Sequence, residues 1–243
     1  MIPTILSNKA LWYLARGTGV VSLVLLTAVL ALGITTRNRT RGGPSRIPRF
    51  TTALLHRNLS LLVLAFLCVH IASSVLDPFA AISWSDALIP LGASYRPLWL
   101  GLGALGFDLL LALAITSMLR MRLGLRAWRA VHWLAYACWP IALLHAFGTG
   151  SDVRTGWLLW VAGACVLTVV GAACWRLGAT TALQPRWRVV AVGALLLSPL
   201  LLAGWLESGP LRSGWAGHAG TPAPLLKHTG IATLAAPASG GPA

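Results

Sequence analysis

Six stretches of roughly twenty apolar residues, at 11–34, 55–75, 98–118, 130–147, 157–175 and 189–206, constrain this chain more than any other feature. About 20 apolar residues in a helix span the ~30 Å of bilayer hydrocarbon. Six such runs in 243 residues leave too little polar sequence to cover them as buried helices of a water-soluble fold. Charged residues make up only 10% of the chain, against about 25% in a soluble domain. The runs are continuous, whereas a strand survives in lipid only within a closed barrel of alternating residues. The expected fold is an all-α integral membrane protein. It has a six-transmembrane-helix bundle at 11–206, an external segment at 1–10 and an external Gly/Pro/Ala-rich tail at 207–243 without a packed fold.

The net charge of +14 does not point to nucleic acid, because of where the charges fall. Thirteen of the 19 basic residues sit at alternate connections: Arg37, Arg39, Arg41, Arg46, Arg49 and Arg57; Arg120, Arg122, Arg126 and Arg129; Arg176, Arg186 and Arg188. By the positive-inside rule those connections face the cytoplasm, which puts both termini on the outer face. Asp77, Asp86, Asp152 and Glu207 fall on the other side. The basic face suits anionic lipid headgroups. The first ten residues lack the pattern of a cleaved signal peptide, so the first run reads as a retained helix. Cys68, Cys138, Cys165 and Cys174 lie inside the runs and make neither a zinc spacing nor a C-x-x-C-H haem attachment. Any haem would be held without a covalent bond.

Histidine is costly in a bilayer and marks a functional candidate. His56 and His70 lie in the second run, His132 and His145 in the fourth. The first two are 14 residues apart, about 21 Å of rise and nearly four turns, so they project from similar sides. The second two are 13 apart, which ideal winding aligns less well; Pro140 lies between them and can re-phase a helix. Both runs pass from cytoplasm to exterior under the charge assignment. His56 and His132 then share a depth near the inner surface, and His70 and His145 one nearer the outer surface. Two neutral imidazoles at one depth can fill both axial positions of a haem iron. A plain interhelical hydrogen bond is the alternative for any single histidine, but four unrelated residues would rarely pair this way.

The segments "LHRNLSLLVLAFLCVHI" and "WRAVHWLAYACWPIALLHAFGTGSD", with "ARGTG" in the first run and the "TSMLRMRLGLRAW" turn, resemble the ferric reductase-like transmembrane family. That group includes ferric reductases, the membrane part of NADPH oxidases and the haem subunit of periplasmic methionine sulfoxide reductase systems. The resemblance spans most of residues 10–177. It implies two b haems stacked across the membrane, an inner one on His56 and His132 and an outer one on His70 and His145. No GxGxxG or comparable βαβ pattern is present, so a flavoprotein reductase or a membrane quinol is expected to supply electrons. An extracytoplasmic acceptor or partner protein would receive them.

Other residues support this reading less specifically. Arg16 is placed to reach an outer haem propionate, with snorkelling to the surface as the alternative. Gly17 and Gly19 suit close approach of a porphyrin or ordinary helix packing. Asp108 is open to three roles: proton relay, pairing with Arg16, or staying protonated in place. Arg57 and Arg129 flank the inner histidines, and Trp128 and Trp133 lie beside His132. His218 and His228 fall in the tail. Seventeen arginines against two lysines fit a GC-rich bacterium and its cytoplasmic membrane. Two rival functions remain, a single-haem quinol-linked membrane anchor and a haem-free transporter or scaffold.

Overall fold

The computed structural model describes residues 8–36, 49–150, 152–179 and 184–228, so Arg37, Arg39, Arg41 and Arg46 lie outside the described residues. Among the described residues there are helices and turns and no strand. In chain order the helices are α1 (Asn8–Thr36), α2 (Arg49–Leu76), α3 (Pro97–Met118), α4 (Arg120–His132), α5 (Ala135–Thr149), α6 (Gly156–Gly178), α7 (Pro185–Ser208), α8 (Trp215–His218) and α9 (Ala223–His228). Five are long and apolar enough to cross a membrane, and α4 with α5 makes a sixth crossing if the pair is taken as one bent span.

Lipid offers a polar side chain no water, so hydroxyls inside these spans turn back on their own helix. Thr27 donates to the Leu23 carbonyl at 2.8 Å, Ser73 to Val69 at 2.7 Å and Thr116 to Ala112 at 2.7 Å. Proline opens α3 and α7 at Pro97 and Pro185, where its missing N–H costs nothing.

The run expected as one helix at 130–147 is broken. α4 begins ten residues earlier, in what reads from sequence as a turn, and meets α5 at an angle of 44°. The backbone tightens at the joint: Leu134, Tyr136 and Ala137 donate to carbonyls three residues back, at 2.9, 3.1 and 3.0 Å. Pro140 has no N–H to return to the Tyr136 carbonyl, which weakens the ladder just beyond the joint. His132 therefore ends α4 while His145 sits on α5.

α1 packs along α2 and also against α5 and α6, α3 packs along α5, and α6 along α7. α2 and α5 are not among the closely packed helix pairs, so a gap flanked by α1 and α3 lies between them. In the core Leu23, Leu26, Leu30 and Ile34 of α1 cluster with Trp139, Leu143 and Phe147 of α5 and Ala162, Cys165 and Val170 of α6. Lipid is as apolar as this core, so close packing and hydrogen bonds must hold the helices together. Trp139 Nε1 supplies one, donating to the Thr27 hydroxyl at 2.8 Å.

The segment after α7, expected to be unpacked from 207, instead folds back as far as His228; residues 229–243 lie outside the described residues. Arg96, 5% exposed and in the left-handed region at φ 43°, anchors it. Its side chain donates to Thr221 Oγ1 at 2.9 Å and to the Gly148 and Thr149 carbonyls at 2.9 and 3.0 Å. A cation on the last carbonyls of α5 also complements the helix dipole. Trp99, Trp205 and Trp215 cluster beside it, with ring centroids 5.3–6.4 Å apart.

Candidate functional site: two facing histidine pairs

The gap between α2 and α5 is where the four histidines meet. His70 of α2 faces His145 of α5 with ring centroids 6.4 Å apart, and His56 of α2 faces His132 at the end of α4, also at 6.4 Å. The pairing expected from depth is thus the pairing in space. The bend between α4 and α5 re-phases the 13-residue spacing that ideal winding would have misaligned.

The loop-side pair, His70 and His145, is held by backbone. His70 Nδ1 meets the Ala15 carbonyl of α1 at 2.6 Å, and His145 Nδ1 meets the Trp99 carbonyl of α3 at 2.8 Å. A carbonyl accepts only from an N–H, so in each neutral ring Nδ1 carries the proton and Nε2 keeps its lone pair. Glycines make room for both rings. A Cβ on Gly19 would lie 3.0 Å from His70 Cε1, and one on Gly103 would lie 2.4 Å from His145 Cε1. Gly17 has nothing within 4 Å and has no such role. What Gly19 admits is an imidazole.

The arginine-rich side, His56 and His132, is built differently. His132 Nδ1 is buried without a hydrogen-bond partner, and His56 Nδ1 reaches toward the Val29 carbonyl of α1 without a well-formed hydrogen bond. Gly33 leaves room for His56, with a Cβ there 3.3 Å from its Cε1. His132 has an aromatic support instead: Trp128 stacks on it at 4.8 Å between centroids, and Trp128 Nε1 donates to Ser117 Oγ at 3.3 Å. Arg57 and Arg129 are exposed.

A cavity of about 310 Å³ opens beside the loop-side pair. His70 and His145 line it, with Arg16, Tyr95 and Asp152 also in its wall. Arg16 donates to the Asp152 carboxylate and lies over the Trp12 ring, 3.4 Å from its centroid. Its acidic partner is thus Asp152 and not Asp108, which sits half-buried on α3. His218 bonds locally to the Gly214 carbonyl at 3.1 Å, and the described cysteines are free thiols.

These residues fit haem. An imidazole nitrogen lies about 1.1 Å from its ring centre and bonds a metal at about 2.0 Å, so two rings in line on one metal stand about 6.2 Å apart. Both pairs match that separation. The donor set is two neutral imidazoles per level, and among the described residues no cluster of three or more His, Cys, Asp or Glu side chains competes as a metal site. Sequence reading missed Gly33, Gly103 and the Asp152 partner of Arg16. A signal for Gly33 existed: Gly19 and Gly33 are 14 residues apart, as are His70 and His56 on the antiparallel neighbour.

The profile of the family described as ferric reductase like transmembrane component matches residues 18–143, a little over half of the chain. The match takes in His56, His70 and His132 and ends two residues before His145. It is narrower than the stretch over which the sequence resembles that group. No solved structure matches the chain at a significant level.

Proposed function

The chain belongs to the ferric reductase-like transmembrane family, and from that premise we propose that it carries electrons across a bilayer through two b haems. His56 with His132 holds one and His70 with His145 the other. The observation that carries this reading is the common 6.4 Å separation of both facing pairs. When bound, each haem supplies a one-electron iron couple. The chain's own contribution is to present Nε2 lone pairs, to fix ring orientation through Ala15 and Trp99, and to surround the irons with apolar wall. An Nδ1–H bonded to a carbonyl makes the other nitrogen a better ligand. Two imidazole ligands on each iron would leave no site for oxygen and so favour electron transfer.

The arginine-rich connections are assigned to the cytoplasm and both termini to the outside of a bacterial cytoplasmic membrane. A flavoprotein reductase or a quinol supplies electrons at the His56–His132 end. An acceptor beyond His145 takes them: ferric iron, an oxidised partner protein or oxygen. Arg16, in the wall of the loop-side cavity, is assigned to a haem propionate, with Asp152 as its partner otherwise.

The test is a reduced-minus-oxidised visible spectrum with pyridine-haemochrome stoichiometry, on wild type and His70→Ala. Two low-spin b haems per chain, falling to one in the variant, are expected. No haem in a folded preparation from haem-replete cells would sink the reading. The bare Nδ1 of His132 favours a second reading, in which only the loop-side pair binds haem and the chain is a single-haem anchor. One haem in wild type and none in His70→Ala would select it.

A further inference from the structure

A second cleft, of about 390 Å³, opens among α1, the α4–α5 joint, α6 and α7. Ile34 of α1, Trp133 at the α4–α5 joint, Tyr136 of α5, Ala173 and Arg176 of α6, and Leu195 of α7 line it. Ile34 follows Gly33, which abuts His56, and Trp133 follows His132. The cleft therefore shares its α1 and α4–α5 walls with that histidine level.

Its chemistry is specific. Arg176 Nη1 donates to the Tyr136 hydroxyl oxygen at 2.5 Å, so the tyrosine's own O–H is left to donate elsewhere. The Trp133 and Tyr136 rings stand 5.1 Å apart at 35°, forming an aromatic wall. Trp133 is 52% and Tyr136 38% exposed. The remaining lining is aliphatic. The volume falls among those of small-molecule sites, about 300–1,000 Å³.

We propose that this cleft, between the α4–α5 joint and the ends of α1 and α6, binds the headgroup of a membrane quinol and is where the chain receives electrons. The inference rests on the electron-transfer reading above and names the donor and its site. A quinol is neutral, planar and lipid-soluble. Its ring suits the aromatic wall, its oxygen accepts from the Tyr136 O–H, and its isoprenoid tail leaves along the aliphatic side. Among the described residues Arg176 is the one cation in the lining, a poorer match to an anionic phospholipid headgroup than to a neutral ring. Oxidation of the quinol to the quinone releases two electrons and two protons. Two bound ferric haems would accept one electron each, and the protons would leave to water at the Arg176 end.

The test uses the full chain in nanodiscs, with and without haem, and a photoreactive azido-benzoquinone mapped by peptide mass spectrometry. Labelling at residues 133–136 and 173–177 is expected in both forms, about tenfold weaker in Tyr136→Phe and Arg176→Gln, the loss of one polar contact. His70→Ala should leave the labelling unchanged. In the haem-loaded form, reduction by a short-chain quinol should slow about tenfold in the same two variants, with dithionite-reducible haem unaltered. Labelling elsewhere, or labelling indifferent to both substitutions, overturns the proposal. Displacement of the label by phosphatidylglycerol but not by quinone also overturns it, and makes the cleft a lipid headgroup site. Correct labelling on a chain that binds no haem under any condition would leave the cleft standing as a quinone site and remove the electron-transfer reading.

Discussion

The two histidine levels use the same ligands at the same separation but are supported in different ways. At the loop side each imidazole has its Nδ1 on a backbone carbonyl and its ring against a glycine, on helices that α1 and α3 hold in place. At the arginine-rich side His132 Nδ1 is bare and its ring leans on Trp128 at the last residue of a bent helix, while His56, its ring near a glycine, has only a poorly formed contact to the Val29 carbonyl. An unpaired buried donor costs about 1–3 kcal/mol. The loop-side level is thus pre-organised, while the other depends on a joint whose backbone ladder is interrupted. Equal ligand sets do not make equal sites; the backbone behind the ligands decides.

The largest consequence concerns haem retention. Transfer to excess apomyoglobin should be biphasic, with the haem on His56 and His132 leaving about tenfold faster, as the bare His132 donor implies. His70→Ala should delete the slow phase. A single phase, or a slow phase that survives this substitution, would break the comparison. Next in size, Gly103→Ala places a methyl 2.4 Å from the His145 ring, an overpacking expected to cost about 1–3 kcal/mol. It should empty the loop-side level, as read from haem stoichiometry. Gly33→Ala meets His56 at only 3.3 Å and should cost less than half as much, while Gly17→Ala should be silent.

A smaller effect is expected from Trp128→Leu. It removes a stacked partner of His132 worth about 0.5–1.5 kcal/mol. Low-temperature electron paramagnetic resonance should show one low-spin haem signal broadened and the other untouched; a change in both would mean that the levels are not independently supported. Smallest is Arg16→Gln. The Arg16–Asp152 pair is 20% and 28% exposed at its two side chains, which limits its contribution to roughly 0.5–1 kcal/mol. A thermal midpoint lowered by a few degrees, with Asp152→Asn giving no further loss in the double variant, is expected.

Length and apolarity of the runs determine a great deal here, because lipid leaves a chain no alternative to satisfying its backbone within helices. The spans, the antiparallel α3–α5 neighbours, the four histidines and their pairing by depth are legible from residue identity and spacing. Local pattern does not carry the bend at Trp133–Leu134. The run from Ala130 to Phe147 is evenly apolar, and only packing against α3 and α1 reveals where the helix yields near Pro140. Nor does it carry the fold-back of the tail, whose composition reads as unstructured until Arg96 finds the α5 carbonyls and Thr221. The partner of Arg16 and the glycines behind each ring are contacts between segments 42–136 residues apart, except Gly33 and His56. Sequence determined what the helices are and which residues can hold a metal. Tertiary structure decided which backbone groups stand behind those residues, because a hydrogen bond depends on ångström-scale approach between helices that no single helix encodes.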